Sequence, residues 1–87
     1  MDLSRGSAKL RHALGKELRI LRQRRGLTQE RLASQALLHP TYISMLENGR
    51  KSPTVDVLER IARVLGIKIS TIVASAERAG DDLDSDG

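Results

Sequence analysis

Residues 26–49 read GLTQERLASQALLHPTYISMLENG, a pattern of two short helices about a tight turn. Thr28 is a good N-cap for a helix from Gln29 to about Gln35, and Glu30 in its first turn suits the helix dipole. Leu32 and Ala33 face inward. Ala36-Leu37-Leu38 is too short for an element of its own and reads as a tight apolar connection. His39-Pro40 opens a second helix, because proline at the first helical position gives up an N–H that has no helical partner there. Ile43 and Leu46 lie three apart on its inner side, and Asn48-Gly49 stops it. Two short helices joined this closely are a common and mostly structural arrangement, so the flanks have to supply the meaning.

Upstream, Leu10, Leu14, Leu18 and Leu21 mark one face of a helix that starts near Ala8, capped by Ser7 and ended by Gly26. Gly15, unfavourable in a helix interior, reads as a place for a close neighbour. Downstream, Arg50-Lys51-Ser52-Pro53 is a basic loop. Thr54 caps a fourth helix with Leu58, Ile61, Ala62 and Leu65 as its stripe and Gly66 as its stop. A fifth covers Ile69 to about Arg78, with Ile69, Ile72, Val73 and Ala76 on one side and a weak cap residue, Lys68. The acidic stretch 80–87 has no apolar pattern and reads as a disordered tail, leaving residues 1–79 as the single domain.

Composition agrees. The chain has 87 residues, no Cys, Phe or Trp, and Tyr42 as its one aromatic residue. A core of Leu, Ile, Val and Ala points to helices. The missing Cys excludes disulfides and thiolate metal sites, and no apolar run is long enough for a membrane span. The net charge is +4, but it divides unevenly: residues 1–52 carry +7 and residues 53–87 carry −3. One half thus favours a polyanion. The two histidines, His12 and His39, form no catalytic or metal-binding motif. Asp81, Asp82, Asp84 and Asp86 lack the closing Glu and flanking helices of a calcium loop. No enzyme, cofactor or metal is expected.

Arg22, Gly26-Leu27-Thr28-Gln29-Glu30, Leu32-Ala33, Tyr42-Ile43-Ser44 and Leu46-Glu47-Asn48-Gly49 continue into Pro53-Thr54, Leu58, Ile61-Ala62 and Leu65-Gly66. Over roughly Leu14 to Val73 the chain resembles the Cro/cI-like (xenobiotic-response-element type) helix-turn-helix regulators. Thr41-Tyr42-Ile43-Ser44 with Glu47 also resembles the small controller proteins of restriction–modification systems. The resemblance implies an all-α, lambda-repressor-like bundle of five short helices. It implies a cytoplasmic, nucleoid-associated transcriptional regulator, bacterial or phage-encoded, that binds double-stranded DNA as a homodimer on a two-fold-related operator. An antitoxin or a protein-binding coactivator on the same fold is the alternative, with a toxin protein or RNA polymerase as further partner.

The same resemblance assigns roles. The helix from Pro40 would enter the major groove, with His39, Pro40, Thr41 and Ser44 near base edges. His39 reads equally as a plain helix cap, and Met45 as packing. Pro40 departs from the polar residue common in the family, so direct readout is thin and DNA shape carries more specificity. Thr28, Gln29, Tyr42, Asn48, Arg50 and Lys51 would meet phosphates, Gln29 also buttressing the reading helix and the Tyr42 ring also packing at the helix margin. Arg22 and Glu47 would pair inside the domain. Leu65, Ile67, Ile69, Ile72 and Val73 offer an apolar dimer interface. Leu37 stands where relatives often have Gly or Asn.

Overall fold

A computed structural model describes the backbone of residues 3–85 and the side chains of residues 8–80. Five helices follow one another: α1 Leu3–Arg24, α2 Gln29–Ala36, α3 Pro40–Glu47, α4 Val55–Leu65 and α5 Ile69–Ser85. The described residues contain no strand. None of these helices is long and apolar enough to cross a membrane.

Helix ends follow the local chemistry. The hydroxyls of Thr28 and Thr54 accept from the N–H groups of Arg31 and Val57 at 3.0 and 3.1 Å, so each satisfies one donor left free at a helix start. At the other ends, four helices close alike, on Gly26, Leu37, Gly49 and Gly66, all with positive φ. In each case the next residue's N–H reaches back five positions, as from Leu38 to the Ala33 carbonyl at 2.8 Å and from Ile67 to the Ala62 carbonyl at 3.1 Å. Three of the four sites hold glycine. Leu37 alone, at φ 59, takes the left-handed conformation against the preference of an L side chain.

The core sits among all five helices. Leu18, Leu32, Ile43, Leu46, Ile61, Leu65 and Ile72 are its largest fully buried side chains. The helix-turn-helix pair packs on α4 from one side and on α1 from the other, while α5 lies along α1. Ala13 and Leu18 carry the buried face of α1, with Leu14 and Leu21 partly covered beside them. Leu10, expected on that face, is 39% exposed, because the axis of contact runs through Ala13 instead.

Two boundaries differ from the sequence reading. Helix α1 begins at Leu3, so Ser7 stands inside it and is not its cap. A helix once nucleated extends with one bond per residue, and the single Gly6 does not stop it. Helix α5 passes Arg78 and reaches Ser85, so the expected disordered tail is helical from Gly80 to Ser85. The stripe that includes Ile72 and Ala76 continues one turn further onto Gly80, which has no side chain to extend an apolar pattern. Ile72, Ala76 and Gly80 follow at intervals of four and are all buried. A Cβ on Gly80 would stand 3.9 Å from that of Ala13, so the two helices still touch at this point. Asp86 and Gly87 lie outside the described residues.

Candidate nucleic-acid interface

The site is α3, what holds it, and what flanks it. Its inner side is anchored by Ile43 and Leu46, 1% and 2% exposed. Its C-terminal end is locked by an ion pair. Arg22 donates from Nε to Glu47 Oε2 at 2.6 Å and from a terminal nitrogen to Oε1 at 3.0 Å. Its other terminal nitrogen donates to the Leu27 carbonyl at 2.7 Å. Gln29 adds an amide donor to Glu47 Oε1 at 3.1 Å. Both charged residues are buried, and no buried side-chain nitrogen or oxygen among the described residues lacks a partner. The hydrogen bond to Glu47 holds the Arg22 guanidinium above its ordinary pKa, against the opposing effect of burial. One cluster thereby ties α1, the α1–α2 turn, α2 and α3 together. The paired reading of Arg22 and Glu47 and the buttressing reading of Gln29 both describe it.

The outward side of α3 begins at His39. This residue caps the helix: its Nδ1 accepts from the Thr41 N–H at 3.1 Å. With Nδ1 an acceptor, the neutral ring carries its proton on Nε2, so the cap leaves one donor. Pro40 takes the first turn, Thr41 is exposed, and Ser44 and Met45 are half-buried. Asn48 ends the helix and donates to Ser44 Oγ at 3.4 Å. Tyr42 packs its ring against the edge of the core, with Lys51 Nζ 5.7 Å from the ring centroid. Thr28, Arg50 and Lys51 are exposed. The chain thus gathers His39, Pro40, Thr41 and Ser44 on one helix end. Thr28 and Gln29 stand at the start of α2, and Asn48, Arg50 and Lys51 beyond the end of α3.

The proposed dimer residues divide. Leu65 and Ile72 are 2% and 0% exposed, filled into the chain's own core. They present no surface to a second copy, which corrects their assignment. Helix α5 packs along α1, and both positions belong to the common core of the bundle. Ile67, Ile69 and Val73 are half-buried at the margin and keep area on offer.

Three α1 residues are part of the site without having been read as such. A Cβ on Gly15 would run into the carbonyl oxygen of Leu46 and stand 2.8 Å from that of Glu47, so α1 takes the end of α3 directly on its backbone. The expected close neighbour of Gly15 is therefore α3. Arg11 donates from Nε to the Gly49 carbonyl at 2.7 Å. The His12 ring lies against the buried Gly49, where a Cβ would strike it. The signal lay in the spacing: Arg11, Gly15, Leu18 and Arg22 recur at four, three and four, a second stripe beside the leucines. Polar and small members hide it from a search for apolar periodicity.

Residues 18–72 match the helix-turn-helix family. The chain is 38% identical over 60 residues to the immunity repressor of Bacillus phage phi105, covering 69% of this chain and 42% of the repressor. It spans less than half of that relative's length. The structure resembles the clp gene regulator ClgR of Corynebacterium glutamicum at a TM-score of 0.85 and 31% identity, covering 88% of this chain and 82% of that one. It also resembles the restriction-modification controller protein C.AhdI of Aeromonas hydrophila, at a TM-score of 0.69 and 30% identity over 70% of this chain and 92% of the other.

Proposed function

Because the chain belongs to the Cro/cI-type helix-turn-helix family, we propose that it is a transcriptional regulator that binds duplex DNA as a homodimer on a two-fold-related operator. The observation that carries this reading is the presentation of α3. Its inner side is locked by the Arg22–Glu47–Gln29 cluster, while Thr41 at its start faces solvent and Arg50 and Lys51 flank its end. A rigid helix with an open N-terminal end fits the major groove, and cations at its far end reach phosphates. Base contacts fall to His39, Thr41 and Ser44. Pro40 offers no long donor, so shape readout supplements them.

Selection of binding sites from a randomised duplex pool tests the proposal. The expected product is a pseudo-palindrome with half-site centres ~10–10.5 bp apart. In quantitative binding to it, Thr41→Ala or Ser44→Ala relaxes preference at one or two positions by ~1 kcal/mol, and the salt slope stays as it was. Arg50→Ala or Lys51→Ala weakens all sequences alike and flattens the slope by about one unit. A pool that yields no enriched sequence would overturn the reading.

The dimer rests on Ile67, Ile69 and Val73, whose remaining apolar area lies away from α3. A protein partner, RNA polymerase or a toxin, has one surface feature in its favour. Leu37 is 81% exposed and stands beside Arg60 and Arg63 of α4 at a shallow depression.

A further inference from the structure

We propose that Arg11 is a positioning residue for the phosphate-contacting loop, acting on DNA through Arg50 and Lys51 without touching DNA itself. This rests on the DNA-binding reading above. Arg11 lies on α1, ahead of the stretch 18–72 that matches the family.

Both polar groups of the peptide between Gly49 and Arg50 are tied. Its carbonyl accepts from Arg11 Nε at 2.7 Å, and its N–H donates to the Met45 carbonyl at 2.9 Å. Gly49 itself is buried, at φ 72, with the His12 ring where a Cβ would be. The chain therefore leaves α3 in one fixed direction, set from α1. Arg50 and Lys51 are the next two residues, and both are exposed. Their side chains are long and flexible, and among the described residues no side-chain hydrogen bond or ion pair holds Arg50. Fixing that backbone lowers the entropy that must be lost when the cations meet phosphates. Arg11 is half-buried, and its Nε bond turns the guanidinium toward the loop.

Glutamine separates positioning from direct contact. Its amide nitrogen stands the same number of bonds from the backbone as arginine Nε, so Arg11→Gln keeps a donor for the Gly49 carbonyl and removes the charge. Arg11→Ala removes both. The experiment measures affinity for a mixed-sequence duplex at several salt concentrations, since phosphate contacts need no operator. It compares the parent with Arg11→Ala, Arg11→Gln, Arg50→Ala with Lys51→Ala, and that double variant combined with Arg11→Ala.

Arg11→Ala is expected to weaken binding about 3–10-fold, while Arg11→Gln binds within about twofold of the parent at an unchanged salt slope. Once Arg50 and Lys51 are gone, Arg11→Ala adds nothing further. If Arg11→Gln loses as much as Arg11→Ala and flattens the slope by about one unit, Arg11 is itself a phosphate contact and the proposal falls. It falls equally if the effects are additive, or if Arg11→Ala lowers the melting temperature and leaves the affinity of the folded protein as it was. A parent that binds no duplex at low salt overturns the DNA-binding reading as well, whereas additive losses overturn this inference alone.

Discussion

Arg22 directs three donors into the protein, two to Glu47 and one to the Leu27 carbonyl. Such a pair stabilises only while it is complete, since either partner alone is a charge without water or counter-charge. Glu47→Ala is expected to cost ~3–5 kcal/mol, read as a lower urea midpoint with an unchanged slope. Exposed pairs behave otherwise: Arg60–Asp56 and Arg63–Glu59 on α4, at 3.1 and 3.2 Å, contribute only ~0.3–0.5 kcal/mol each. Leu37 is the opposite kind of residue, one whose replacement helps. Its left-handed backbone costs a leucine ~1–2 kcal/mol, and its exposed side chain returns little. Leu37→Gly relieves that strain and adds unfolded-state entropy of ~0.5–1 kcal/mol, for a net gain of ~0.5 kcal/mol in denaturant unfolding. Leu37→Val, stiffer at the same φ, lowers stability.

At the scale of elements, α1 is the platform for α3. Arg11, Gly15, Leu18 and Arg22 place a carbonyl latch, a backbone contact, a core leucine and an ion pair along one stripe. Gly15→Ala puts helix propensity and packing in opposition. Alanine favours an isolated helix by ~1 kcal/mol, but its Cβ would collide with two carbonyl oxygens of α3, which are backbone atoms and cannot turn aside. Overpacking of this kind costs ~1–3 kcal/mol, so the net change is a loss. Circular-dichroism melting should show it, with DNA affinity falling too because α3 is displaced. Helix α5 is the second prop of α1. A chain ending at Gly80 keeps Ile72, Ala76 and Gly80 and should melt close to the full chain. One ending at Val73 loses Ala76 and Gly80 and should melt clearly lower, which differential scanning calorimetry would register.

For the whole molecule, the loop cations beside α3 and the candidate dimer residues lie on different elements. The basic half ends in Arg50 and Lys51 beside α3, whereas Ile67, Ile69 and Val73 sit at the α4–α5 junction. A dimer through that junction leaves both reading helices free. Ile69→Glu and Val73→Glu place charges at half-buried positions, and sedimentation at micromolar concentration should then show a monomer. Ile72→Glu instead unfolds the protein, because that side chain is 0% exposed in the monomer itself. The contrast separates surface from core among residues that the sequence presents as equivalent.

Local chemistry determines much of this protein from sequence alone: the five helices, the caps at Thr28 and Thr54, the stops at Gly26 and Gly66, and the family-specific Arg22–Glu47 pair. Each depends on residues near in the chain or on a motif whose spacing is preserved. Tertiary structure alone decided which apolar side chains became core. Leu65 and Ile72 carry the same pattern as Ile69 and Val73, and only the packing of the assembled bundle tells them apart. The continuation of α5 past Arg78 was hidden because Gly80 adds nothing to an apolar pattern, yet it lets α1 approach. The latch of Arg11 on Gly49 joins residues 38 apart, with a hydrogen bond to a carbonyl that every residue possesses. A bond to a backbone carbonyl leaves no mark on the identity of its acceptor, so the packing of α1 on α3 had to exist before it could be read.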